Sequence, residues 1–151
     1  FRRNYHATSL LLPDGRILTA GGDVWNAEIF YPPYLFTKDI NNKTVLAKRP
    51  QITSLQKNIK RGQNVNIGVD GEISKVTLIS TGTTTHAQGS ESKFRNLNFK
   101  KISDNEIEIK LDANSNNLQD GTYLIFVLNT KGTPSKGEIV FVNWNIGLVK
   151  K

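Results

Sequence analysis

The chain has 151 residues, 37% of them hydrophobic, with no cysteine and no methionine. That length accommodates one main core, or a small domain with an appendage. No apolar run approaches the roughly 20 residues of a membrane-spanning helix, and disulfides and cysteine zinc sites are excluded within the chain. Twenty Lys and Arg against thirteen Asp and Glu leave a formal charge of +7, but the basic residues are scattered. The densest cluster, Lys57, Lys60 and Arg61, has no interleaved aromatics, so a solvated surface is expected and not a nucleic-acid site.

In chain order, residues 7–22 read as a β-hairpin: Leu10-Leu11-Leu12, the turn Pro13-Asp14-Gly15, then Arg16-Ile17-Leu18 leading to Gly21-Gly22. Asp14-Gly15 is expected to supply the positive φ angles of a tight turn. A double glycine after a strand is also typical of kelch-type propeller blades, and one blade cannot bury both its faces without stacked neighbours. Residues 1–36 are therefore expected to pack less firmly than the remainder. After Ala27 to Tyr31, Pro32-Pro33 stops strand pairing, and the polar stretch TKDINNKTVLAK at 37–48 reads as a loop. Asn42-Lys43-Thr44 is a glycosylation sequon, a common triplet and weak support for secretion.

From Arg49-Pro50 onward, short alternating runs recur: Gln51 to Leu55, Asn64 to Val69, Lys75 to Ile79, Asn96 to Phe99, Glu106 to Leu111, Thr122 to Leu128 and Glu138 to Val142. Separated by Gly, Asn, Asp and Ser turns and lacking a 3.6-residue period, they predict an all-β fold, an immunoglobulin-like sandwich. Ile107-Glu108-Ile109-Lys110-Leu111 shows the cleanest apolar-in, charged-out alternation, and the continuous apolar run Tyr123 to Leu128 marks a central strand. Phosphate-loop, zinc-protease and nucleophile-elbow motifs are absent. Glu106 and Glu108 share a strand face and read as solvated charge, and Trp25 and Trp144 as packing residues.

The candidate chemistry lies at the only two histidines, His6 and His86. Imidazole and phenolate form a nitrogen and oxygen set suited to copper(II), but eighty residues separate the histidines and no local motif joins them. Tyr5 and His6 are neighbours on what reads as a strand start, so they can share a metal only where the chain bends. His86 falls on a polar loop, THAQGSES.

The segments FRRNYHATSLLLPDGRILTAGGD, LISTGTTTHAQGSESKFRNLNF and DGTYLIFVLNTKGTPS resemble, in the family's order, the C-terminal end of the galactose oxidase and glyoxal oxidase family of copper enzymes. The resemblance covers Phe1 to about Asn143. It implies a remnant of the last kelch-type β-propeller blade at 1–36, a linker at 37–47, an early-set immunoglobulin-like sandwich at 48–145 and a tail at 146–151. It also implies Tyr5 as axial tyrosine and proton acceptor, His6 and His86 as copper ligands, and oxidation of a primary alcohol or aldehyde by O2 to give hydrogen peroxide. The family's cross-linked Tyr-Cys radical cofactor cannot form in a chain without cysteine, so the chain is expected to be the C-terminal part of a longer enzyme, inactive alone and holding copper weakly or not at all. The implied partners are an upstream propeller of the same polypeptide and a small alcohol, aldehyde or carbohydrate substrate, in an extracellular or cell-surface setting. Ala7 stands where the family usually has serine, and Leu118-Gln119-Asp120 replaces a Pro-rich approach to the Gly-Tyr strand. The alternative reading is a non-catalytic sandwich that caps a propeller or binds carbohydrate.

Overall fold

The computed structural model describes residues 2–85, 88–90 and 93–143. Among them there is no α-helix, only a single 3-10 turn at Pro33–Leu35 between strands. Strands β1 (Ala7–Leu11), β2 (Ile17–Gly21) and β3 (Ala27–Phe30) form a three-stranded antiparallel sheet in the order β1-β2-β3. The predicted reversal after Leu12 is present, but it is not a two-residue turn. Pro13 holds φ negative, so the chain reverses through the three residues Pro13 to Gly15, closed by Leu12 N–H to Arg16 O at 2.8 Å and Gly15 N–H to Leu12 O at 2.8 Å. Gly15 alone takes a left-handed φ, of 83°, and Asp14 does not. Instead the Asp14 carboxylate accepts from the Arg16 amide at 3.0 Å and from Arg16 Nε at 2.7 Å, a pairing that lowers the Asp14 pKa below its ordinary value.

The stretch that reads as a loop carries a short ribbon, β4 (Phe36–Lys38) paired with β5 (Thr44–Leu46). Its turn is organised by Asp39, whose Oδ1 accepts from the amides of Asn41 at 2.9 Å and Lys43 at 2.8 Å. A ribbon exposed on most sides has no apolar alternation, and so no strand signature in the sequence.

Beyond Pro50 lie β6 (Gln51–Leu55), β7 (Asn58–Ile59), β8 (Asn64–Asp70), β9 (Lys75–Ser80), β10 (Thr83–Thr85), β11 (Gln88–Ser90), β12 (Phe94–Leu97), β13 (Phe99–Ser103), β14 (Glu106–Lys110), β15 (Gly121–Leu128) and β16 (Glu138–Val142). Two sheets, β12-β9-β15-β16-β7 and β13-β14-β8-β6, face each other, and β10 pairs with β11 as a separate hairpin between β9 and β12. With β6, β8, β9, β13, β14, β15 and β16 taken as A, B, C, D, E, F and G, the sheets contain the ABED and CFG sets of an immunoglobulin-like sandwich. Tyr123, near the start of β15, donates its hydroxyl to Gln119 O at 2.8 Å, the tyrosine corner expected at the E–F junction.

The core follows from period-2 alternation. Val65, Ile67 and Val69 of β8 and Ile107 and Ile109 of β14 meet Val76 and Leu78 of β9, Tyr123, Ile125 and Val127 of β15 and Val140 and Val142 of β16. The run Tyr123 to Val127 is buried at every residue, so β15 is covered on both faces. Tyr123, Ile125 and Val127 fill the core, while Leu124 and Phe126 point the other way. Phe126 shares an open cleft of about 410 Å³ with Leu11 and Tyr34, which places the first sheet and the 3-10 turn against the outer face of the larger sheet. One strand assignment needs correction: Asn96 to Phe99 is not a single strand. The chain leaves one sheet after Leu97 and enters the other at Phe99. Leu97 and Phe99 both pack on the same core, so the alternation runs unbroken through the crossover and conceals it.

Candidate functional site

The segment before β1 is pinned by its own polar residues. Arg3, whose side chain is 5% exposed, donates from Nη1 to Gly21 O at 2.9 Å and from Nη2 to Asn26 Oδ1 at 2.7 Å and Glu28 Oε2 at 3.0 Å. Asn4 Nδ2 donates to Asp23 Oδ2 at 2.7 Å. These bonds tie residues 3 and 4 to the end of β2, the β2–β3 connection and β3, so the next two residues must turn sharply to enter β1. His6 makes that turn with φ of 63°, a left-handed conformation uncommon outside glycine, for which histidine is one of the more tolerant side chains. Across from it, the Gly22 amide donates to His6 O at 3.2 Å. Gly21 has φ of 75°, and a Cβ there would stand 2.5 Å from His6 O. The Gly21-Gly22 pair is thus what lets the strand end approach the turn.

The bend brings the two aromatic rings together. Tyr5 and His6, which on a regular strand would point to opposite faces, have ring centroids 3.9 Å apart at an interplanar angle of 35°. Both are exposed, Tyr5 at 60%. The turn thus removes the opposite-face arrangement of a regular strand, and a phenol and an imidazole are a donor set that suits copper(II). Sequence reasoning identified the pair and the need for a bend, but not Arg3, Asn4, Gly21 and Gly22, which produce it. The double glycine was visible fifteen residues downstream and read only as a blade signature.

The third candidate, His86, lies outside the described residues. The strands on either side of it are described by their backbones: Thr83 pairs with Ser90, Thr84 with Gly89 and Thr85 with Gln88. Strand β11 lies beside β1, so the insertion between β9 and β12 is directed at the sheet that begins with Tyr5 and His6. Among the described residues no group of three or more His, Cys, Asp or Glu is placed to hold a metal.

The remaining candidates resolve as surface or packing features. Lys57 pairs with Glu138, and Arg61 with Asp120, so the one basic cluster is partly neutralised. Glu106 Oε1 accepts from Asn66 Nδ2 at 3.2 Å on the exposed side of its sheet. Trp25 is fully exposed on the β2–β3 connection and does not pack as expected; Trp144 lies outside the described residues.

Two sheets in the ABED and CFG arrangement, closed by a tyrosine corner, define an immunoglobulin-like sandwich. A sequence model of the galactose oxidase-like early set domain matches residues 49–142, and the chain belongs to that family. A galactose oxidase of Gibberella zeae is 34% identical over 149 residues, covering 93% of this chain and 21% of that protein. An aldehyde oxidase of Arabidopsis thaliana is 26% identical over 163 residues, covering 90% of this chain and 25% of that protein. A solved structure of a fungal alcohol oxidase of the AA5 family, in complex with copper, superposes with a TM-score of 0.81 at 25% identity over 94% of this chain and 31% of that one. The chain thus spans about a fifth of the length of the galactose oxidases it matches.

Proposed function

We propose that this chain is the C-terminal portion of a galactose oxidase-like copper oxidase that converts a primary alcohol to its aldehyde, or oxidises an aldehyde, as O2 becomes hydrogen peroxide. Tyr5, His6 and His86 contribute to its copper shell. The observation that carries the reading is the left-handed turn at His6, which sets the Tyr5 and His6 rings 3.9 Å apart on one exposed surface. The contact of strand β1 with β11, in the hairpin that flanks His86, supports it, as do relatives named as galactose, aldehyde and alcohol oxidases.

When bound, copper supplies a Lewis-acidic centre capable of one-electron chemistry. The chain's own residues have separate tasks. Tyr5 Oη takes the proton of the substrate hydroxyl, His6 and His86 act as neutral imidazole donors, and Arg3 and Asn4 hold the turn in shape. The Tyr-Cys cofactor of the family requires a cysteine, which this sequence lacks, so in this reading it comes from a preceding part of the polypeptide. That part is a kelch-type propeller, of which the β1-β2-β3 sheet is the last, incomplete blade. The enzyme is placed outside the cell or at its surface, like the family it resembles. Among the described residues no helix is long and apolar enough to cross a membrane.

The test is made on the intact protein. His86→Ala and His6→Ala should each abolish copper binding and peroxide production, and His86→Ala should leave unfolding of the metal-free protein nearly unchanged, since a polar loop histidine contributes little to the core. Full copper occupancy with unaltered activity in His86→Ala would reject the proposed shell and favour a non-catalytic module that caps a propeller or binds carbohydrate. The 151-residue chain alone, supplied with copper, should produce no peroxide.

A further inference from the structure

We propose that Arg49 is a positioning residue for this site, fixing where the Tyr5–His6 turn stands relative to the β10–β11 hairpin. The proposal rests on the copper reading above. Arg49 opens the family-matched segment, and its guanidinium joins two parts of the molecule. Nη1 donates to Asp14 O at 2.7 Å, in the loop between β1 and β2, while Nε donates to Pro134 O at 2.7 Å and Nη2 to Ser135 O at 2.5 Å, in the connection between β15 and β16. The same β1–β2 loop is held at both adjacent residues, by Gly137 N–H to Pro13 O at 2.6 Å and by the Tyr34 hydroxyl to Gly15 O at 2.6 Å. Arg49 alone bonds both sides through one rigid group, a planar fork of charge-assisted donors that lysine cannot reproduce.

The sheet transmits what Arg49 fixes. Strands β1 and β2 pair without interruption from Ala7↔Gly21 to Leu11↔Ile17, so the hairpin moves as a body about its loop. His6 immediately precedes β1 and stands about 16 Å from the far end of a five-residue strand. A tilt of about 5° at the loop therefore moves His6 by about 1.4 Å, against a tolerance of about 0.2 Å in metal–ligand distances. The β10–β11 hairpin springs from two strands of the sandwich, β9 and β12, and its strand β11 lies beside β1, so its anchorage differs from that of the β1–β2 hairpin. A loosened loop thus shifts the Tyr5–His6 turn relative to the sandwich strands β9 and β12 that carry the hairpin.

The 151-residue chain has no cysteine, which permits a direct distance measurement on it. Trp25→Cys on the first sheet and Lys110→Cys on the sandwich, both exposed positions, take spin labels whose separation is read by double electron–electron resonance. The expected result is a narrow distance distribution with Arg49 present, a broadened one with Arg49→Lys, and weakened copper(II) binding by intact Arg49→Lys protein with an altered copper EPR spectrum. Should Arg49→Lys fail to fold, Gly15→Ala takes its place: its methyl would stand 3.3 Å from Arg49 Nη2, at a φ of 83°, and crowds the guanidinium from the first-sheet side. An unchanged distance distribution overturns the proposal whatever copper does. A broadened distribution with unchanged copper affinity also overturns it, because the tilt then does not reach the ligands. Failure of the unsubstituted intact protein to bind copper overturns the function proposed above, while the label distances still decide whether Arg49 sets the position of the turn.

Discussion

The first sheet and the sandwich are built from similar strands, yet they differ in what they bury. Of the large hydrophobic side chains that stand exposed among the described residues, only Phe94, Ile102 and Ile139 belong to the sandwich; the others, from Tyr5 to Leu46, precede it. Conversely, Leu35 is the only buried hydrophobic core residue described ahead of Ile59. The sandwich closes two sheets on each other around one shared core. The β1-β2-β3 sheet meets the sandwich at the β1–β2 loop and beside β11, and leaves Ile29 and Phe30 open to water. Order in the first region therefore comes from individual polar ties, those of Arg3, Asn4 and Arg49, where the second has a packed core.

The largest expected effect follows from that contrast. Ile125→Ala removes a fully buried side chain from the central strand and should cost about 2–5 kcal/mol in denaturant unfolding. Ile29→Ala in the same chain should stay within about 0.5 kcal/mol; comparable losses would mean that the first sheet has a core of its own. Next is Gly21→Ala, which places a methyl against His6 O at a left-handed φ and should cost about 1–3 kcal/mol. That loss should be confined to residues 2–36, as read by local hydrogen exchange; uniform loss across the sandwich would contradict it. Tyr123→Phe removes the corner hydrogen bond to Gln119 O and should lower stability by about 0.5–1.5 kcal/mol, with the β15 register unchanged by NMR.

The smallest effect concerns acid. The Asp14 pKa is lowered from 3.8, first by its side-chain hydrogen bond with Arg16. The folded state therefore binds this proton less readily than the unfolded one, so the contribution is fully present above the unfolded pKa of 3.8 and is lost as pH falls through the lower folded value. The pair is about one-third exposed, and solvent screening holds the contribution to about 0.5 kcal/mol or less. Asp14→Asn should flatten the stability profile slightly below pH 3.8, and an equal slope in both proteins would show that Asp14 contributes nothing.

What the sequence disclosed divides along the same line. In the sandwich, Ile107-Glu108-Ile109 and the unbroken run of β15 announce one-sided and two-sided burial, because side-chain direction there has period 2 and the core enforces it. The crossover at Asn98 escaped because Leu97 and Phe99 serve one core from two sheets. Strand β7 escaped because two residues, paired in parallel with β16, carry no pattern. At the candidate site the need for a bend between Tyr5 and His6 was legible, and the residues that impose it were not. A left-handed histidine is imposed by partners fifteen to twenty-two residues away, Gly21, Asn26 and Glu28 among them, and no local propensity encodes that.

The two-sided burial of β15 also bears on where this polypeptide can be cut. Homology to the early set domain begins at residue 49, which invites excision there. The strands to pair and the core to fill would all be retained. Yet Leu124 and Phe126, now 4% and 3% exposed, form an outward patch partly roofed by residues that excision removes, and an uncovered apolar patch on a sheet invites self-association. A fragment starting at Arg49 should fold and then aggregate, whereas the chain that keeps Leu11, Gly15 and Tyr34 over Phe126 should stay monodisperse. The boundary of kinship and the boundary of solubility fall at different residues.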